Sequence, residues 1–191
     1  MERNIAQIAL FAAMIAALGL VPQITLGFGV PITAQTLGVM LAGAVLGARR
    51  GAAAAGLFLL LVALGLPLLA GGRGGLGVFV SPTAGFALGF PVAAFATGLF
   101  VEHVRLRSAG LAAGLGAVFG GILVLYLLGA SGLALVSGKS LIEAFRLVAV
   151  FIPGDLLKAA ITGMLVQALA RVRPQMLAWH RVPAGPRDFR L

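Results

Sequence analysis

The sequence predicts an all-α integral membrane protein, a compact bundle of six transmembrane helices with the N- and C-termini cytoplasmic. Three observations lead there. The chain is 61% hydrophobic and only 10% charged, with a mean hydropathy of +1.11, a balance far from that of water-soluble domains. Long apolar runs alternate with short connections in which Gly, Pro and charge concentrate. The cations also sort by alternate connections. Arg3, Arg49, Arg50, Arg105, Arg107, Arg171, Arg173, Arg181, Arg187 and Arg190 fall on one side of a six-span threading, and Arg73, Lys139 and Arg146 on the other. An excess of Lys and Arg marks the cytoplasmic side.

Composition also excludes function classes. A net charge of +9 over 191 residues would suggest nucleic acid in a soluble protein; here the positives cluster at span ends, as topology requires, so no nucleic-acid partner is expected and the lipid bilayer is. Cysteine is absent, which removes thiolate metal sites and Cys nucleophiles. His103 and His180 fall on the cytoplasmic side, no metal-ligand spacing is present, and the glycine-rich RGGLG lacks the Lys-Ser/Thr of a phosphate-binding loop. The expectation is a non-enzyme without metal or cofactor.

The elements follow in order. Ile5–Val21 reads as a retained first span ended by Pro22; its apolar run is too long for a signal peptide. It places Ala9, Ala13 and Ala17 on one face and Ala12 and Ala16 in a neighbouring row. Small residues at four-residue spacing permit close helix approach in lipid, although alanine is abundant throughout the chain. Gln23–Pro31 is an uncharged, Gly-containing loop able to fold back against the membrane. The second helix is expected over Thr33–Ala48, a turn at Arg49, Arg50 and Gly51, and the third helix over Gly51–Leu69. The fourth runs from Pro82 to Val101. The fifth, over Ala109–Leu128, carries Tyr126 as an interface anchor, and a loop follows over Ala130–Lys139. Ser140 and Glu143 have capping-box spacing and start a helix that breaks before Pro153-Gly154. The sixth span covers Pro153–Ala170. Residues 1–173 thus form one membrane domain, and 174–191 a basic cytoplasmic tail expected to be disordered.

Two stretches carry polar chemistry. Gly71–Pro91, GGRGGLGVFVSPTAGFALGFP, holds Arg73 between two Gly pairs and reads as a flexible cap over a ligand, the alternative being a plain connecting loop. In FIPGDLLKA, Phe151–Ala159, Asp155 and Lys158 share one helical face. Ionisable groups inside an apolar span usually serve function; the alternative is an ion pair that only fixes packing. The topology brings both stretches to the outer side, with Phe79 and Phe86 as apolar walls; Gln35, at the edge of its span, either faces a cavity or is simply interfacial. Such a pocket suits a small, mostly apolar anion with a hydrogen-bonding head.

The chain resembles the BioY family, the biotin-specific substrate-binding (S) components of energy-coupling-factor (ECF) transporters. The resemblance rests on PITAQTLGVMLAG (Pro31–Gly43), LGARRG (Leu46–Gly51), ALGLPLLAGGRGGLGVFVSPTAGFALGF (Ala63–Phe90) and FIPGDLLKA, and runs to about Arg173. It implies capture of biotin from the outer side of the cell membrane for energy-coupled import, with a transmembrane coupling (T) protein and ATPase subunits as partners. It implies ligand contacts from Asp155 and Lys158, and from Arg73 where some relatives carry Asn; Gly74, Gly75, Phe79, Phe86 and Gln35 complete the expected site. Phe86 stands where Tyr is frequent, Ala87 where some relatives have Arg, and Ser81-Pro82-Thr83-Ala84-Gly85 replaces two glycines of a Gly-Pro-Thr-Gly-Gly pattern. The resemblance makes Ala9, Ala13 and Ala17 the docking face for the T protein. An S component for another vitamin and a self-sufficient homo-oligomeric uptake protein are the alternatives.

Overall fold

The structure, a computed structural model, describes residues 2–25, 27, 30–104 and 106–179. Arg105, His180, Arg181, Arg187 and Arg190 of the arginine-sorting and histidine readings lie outside them. Among the described residues the helices are α1 (Glu2–Leu18), α2 (Gln35–Leu46), α3 (Ala48–Ala63), α4 (Ala84–His103), α5 (Ala109–Val118), α6 (Leu125–Ser137), α7 (Leu141–Val148) and α8 (Ile152–Val172). They form six rods, because a π-helical segment, Phe119–Val124, joins α5 to α6, and a single 3-10 turn, Ala149–Phe151, joins α7 to α8. The three rods Ala84–His103, Ala109–Ser137 and Leu141–Val172 are each long and apolar enough to cross a membrane. Exposed Leu10, Leu60, Leu111 and Met164 on the outer faces are what a bundle solvated by lipid presents.

Several boundaries differ from expectation, each for a physical reason. The corner between α2 and α3 is Gly47, at φ 79°, a left-handed angle that favours glycine; Arg49 and Arg50 are already inside the first turn of α3. Glu102 of α4 accepts a hydrogen bond from the Ala48 N–H at 2.8 Å, supplying a cap that the sequence around Gly47 lacks. α2 has only 12 residues, about 18 Å of helix, too short for a ~30 Å hydrocarbon core. It is preceded by a small hairpin, Ile24–Thr25 paired antiparallel with Pro31–Ile32. The loop expected at Ala130–Lys139 is helical as far as Ser137 and ends on Gly138 in the left-handed conformation. The capping box at Ser140 and Glu143 forms as expected, with both reciprocal bonds present, and the chain leaves α-helical geometry just before Pro153, which sits in the first turn of α8.

The rods pack so that the start of α1, the α2–α3 corner, the α4–α5 connection and the end of α8 share one end of the bundle. Arg50 donates to Asn4 Oδ1 at 2.9 Å and to Gln7 Oε1 at 3.2 Å, and Ser108 donates to Gln167 Oε1 at 2.8 Å. Packing at this end extends past Arg173. Leu177 is buried, the Ala178 N–H donates to the Val45 carbonyl at 3.1 Å and Trp179 Nε1 donates to the Ala44 carbonyl at 2.7 Å. Residues 174–179 therefore belong to the bundle rather than to a disordered tail, because they satisfy carbonyls at the end of α2 that have no helical partner. On α1, Ala12 and Ile15 are buried and Ala16 half-buried, while Ala9, Ala13 and Ala17 are exposed. The Ala12/Ala16 row thus faces the core, and the Ala9/Ala13/Ala17 row is the open one.

Candidate ligand pocket

At the opposite end, a pocket is closed by the hairpin, the 69–73 turn and the ends of α2, α4, α6 and α8. It is lined by Val30, Pro31, Ile32, Thr33, Gln35, Thr36, Leu69, Arg73, Thr83, Phe86, Ala87, Phe90, Leu125, Tyr126, Phe151, Asp155 and Lys158. Its floor is a polar network centred on Asp155, which is 4% exposed. Asp155 Oδ1 accepts from Lys158 Nζ at 2.8 Å and from Thr36 Oγ1 at 3.1 Å, and Oδ2 accepts from the Tyr126 hydroxyl at 2.6 Å. Lys158 Nζ also donates to the Thr33 carbonyl at 2.6 Å and to Thr36 Oγ1 at 2.9 Å. A lysine ammonium has three N–H donors, and all three are engaged with protein. The buried carboxylate is thereby fixed in place and paired, which is the condition for keeping such a charge away from water, and Oδ2 retains a lone pair for a further donor.

The other walls set the shape. Phe86 stands edge-on to both Tyr126 and Phe151, with ring centroids 6.3 and 6.2 Å apart, an arrangement aromatic quadrupoles favour. Arg73 is held by its own turn: Leu69 and Arg73 form an isolated bridge, its Nε donates to the Ala70 carbonyl at 3.3 Å, and one terminal nitrogen donates to Thr83 Oγ1 at 3.1 Å. Burial pulls its guanidinium below the ordinary value, yet an arginine keeps its charge across any physiological pH. The pocket therefore offers a carboxylate acceptor, a guanidinium donor and aromatic surface between.

Of the residues expected at the site, Gln35, Arg73, Phe86, Asp155 and Lys158 line this one pocket. Gln35 does so as a brace: it is 1% exposed, its Nε2 donates to the Ile15 and Leu68 carbonyls at 3.1 and 3.0 Å, and its Oε1 accepts from the Ala70 N–H at 3.0 Å. It joins the end of α1 to the turn that carries Arg73. Gly74, Gly75 and Phe79 lie outside the lining. Gly74 packs beneath the Leu66 carbonyl, and the Gly75 N–H donates to the Val62 carbonyl at 2.8 Å, so both tie the loop to the end of α3. Phe79 sits half-buried in the 3-10 turn Leu76–Val80 and packs on the core. Tyr126 is the largest departure. It is buried on Asp155 rather than anchored at an interface, because the π segment before it adds a residue to the turn and shifts the phase of the helix beyond. A lone Tyr in an apolar helix needs a partner for its hydroxyl when buried; that was the available signal. Thr36 and Phe151 had none.

The chain has recognisable relatives. Residues 2–175 match the BioY family. The biotin transporter BioY of Rhodobacter capsulatus is 56% identical over 186 residues, covering 93% of this chain and 98% of the relative; that of Rhizobium etli is 53% identical over 173 residues, covering 87% and 92%. The crystal structure of the S-component for biotin from an ECF-type ABC transporter superposes with a TM-score of 0.82 at 32% identity, covering 88% of this chain and 91% of the other. The chain belongs to the BioY family.

Proposed function

We propose that this protein is the biotin-binding membrane subunit of an ECF-type uptake transporter. The observation that carries this reading is the pocket, in which a buried, oriented carboxylate and a guanidinium bracket aromatic walls. Biotin has matching chemistry: the ureido N–H groups donate to Asp155 Oδ2, the thiolane ring and alkyl chain lie against Phe86 and Phe90, and the carboxylate meets Arg73. Lys158 orients Asp155 and Thr36, and gives a ureido carbonyl a donor by exchange with one of its protein acceptors. Binding needs no covalent step and no cofactor; biotin is the cargo. Titration calorimetry of the purified protein tests the assignment. Biotin is expected to saturate one site per chain, and thiamine, riboflavin and niacin to give no heat; a response to one of those and not to biotin would overturn it.

The arginine sorting supports a pocket open to the outside and an Arg-rich end in the cytoplasm. A Gly75→Cys variant should label with an impermeant thiol reagent from outside, and Gln175→Cys only after permeabilisation; labelling of both from one side refutes that orientation. The exposed Ala9/Ala13/Ala17 row supports α1 as the face that a T protein packs on, since close approach in lipid depends on small side chains. Energy for import then comes from the ATPase subunits.

A further inference from the structure

On the outer face of the bundle, away from the pocket, α5 and α8 cross backbone to backbone. A Cβ on Gly110 would lie 2.7 Å from the Gly163 carbonyl oxygen, and a Cβ on Gly163 the same distance from that of Gly110. A crossing made of glycines has no side chains to fill its lipid side, and it leaves an apolar groove of about 580 Å³. Its walls are Leu111 and Leu115 from α5 and Leu156 and Met164 from α8, each about half exposed or more. From Leu156 to Arg171 the groove follows about 22 Å of helix, longer than the roughly 15 Å that one leaflet contributes to a ~30 Å hydrocarbon core.

The groove ends in polar groups at the Arg-rich end. Gln167 Oε1 accepts from the Gly110 N–H at 2.9 Å and from Ser108 Oγ at 2.8 Å. A backbone N–H only donates, so the amide oxygen is the atom turned to Gly110, and the NH₂ of this groove-lining residue has no hydrogen-bond partner among the described residues. Arg171, four residues on and so on the same helical face, is exposed and has no ion-pair partner among the described residues. Among the described residues, no carboxylate lines the groove.

We propose that the α5–α8 groove binds an anionic phospholipid, with an acyl chain along the leucine and methionine walls and the phosphate on the Arg171 guanidinium and the Gln167 amide. The bilayer is the solvent of this face, flexible Leu and Met walls suit a chain rather than a rigid helix, and the unmatched cation stands at the end where headgroups lie. Native mass spectrometry of the detergent-purified protein with phosphatidylglycerol or phosphatidylcholine tests it. Wild type should retain about one phosphatidylglycerol per chain in preference to phosphatidylcholine. Arg171→Gln should lower phosphatidylglycerol retention about fivefold, the loss for one interfacial cation, and leave phosphatidylcholine unchanged. Ala160→Trp, on an exposed groove position, should lower both, and Arg49→Gln, at the same end but off the groove, neither; elution volume and helical circular dichroism confirm that each variant is folded. Equal retention of the two lipids by wild type, equal losses from Arg171→Gln and Arg49→Gln, or undiminished lipid retention by Ala160→Trp would each overturn the site.

Discussion

At one end of the bundle Asp155 and Lys158 are nearly sealed off and every lysine N–H is engaged; at the other, Arg3, Arg49 and Arg171 stand exposed with no ion-pair partner among the described residues. The difference follows from solvation. A charge taken out of water costs several kcal/mol unless partners replace the lost hydration, so the pocket end had to assemble a hydroxyl, a phenol and a backbone carbonyl around its pair. A cation at the membrane interface keeps its water and needs no partner. One end therefore holds a charge pair fixed by protein partners, while the other leaves its cations solvated.

If the two ends are functionally separate, the largest effect comes from perturbing coupling alone. Ala13→Trp, on the exposed face of α1, should reduce energised biotin uptake and co-purification with a T protein to near background while leaving biotin affinity unchanged. Ala12→Trp, which points into the core, should instead destabilise the fold. Normal uptake by Ala13→Trp would refute the docking face, and loss of binding would refute the separation.

Gln35→Leu probes the brace at the pocket end, between α1 and the Arg73 turn. It strips partners from the Ile15 and Leu68 carbonyls and the Ala70 N–H, each buried group costing about 1–3 kcal/mol when left unpaired. Thermal unfolding in detergent should occur at least several degrees lower, and biotin affinity should fall because the Arg73 turn loses its anchor. An unchanged melting temperature would show that the brace carries no stability.

Within the pocket, Asp155→Asn and Lys158→Met should each lose about 1.5–3 kcal/mol of binding, roughly tenfold to a hundredfold in Kd. The double variant should lose less than the sum, because the two residues share partners; strict additivity in calorimetry would mean that they do not act as a unit. Tyr126→Phe should show the smallest change, about twofold to tenfold, since it removes one donor to Asp155 Oδ2 and keeps the ring against Phe86. An unchanged Kd would exclude the phenol from orienting the carboxylate.

Features that depend on composition and short spacing were legible in the chain alone. Hydropathy and arginine placement specified a membrane bundle, the Ser140–Glu143 spacing a helix start, Pro153-Gly154 a break, and the three-residue step from Asp155 to Lys158 a shared face. Each is a property of neighbours along the chain, so no fold is needed to see it. Which partners close the site depended on the packed bundle. Thr36 reaches Asp155 across 119 residues and Tyr126 across 29, and the phase of Tyr126 depends on a π turn that no local pattern announced. The same holds for Gly47 as the α2–α3 corner, whose cap comes from Glu102 on another helix, and for Leu177 and Trp179, held at the end of α2. Gly74, Gly75 and Phe79 read as pocket residues because they flank Arg73 in sequence. They sit elsewhere because the turn that aims Arg73 inward spends its remaining backbone groups and its aromatic ring on holding the loop to α3 and the core.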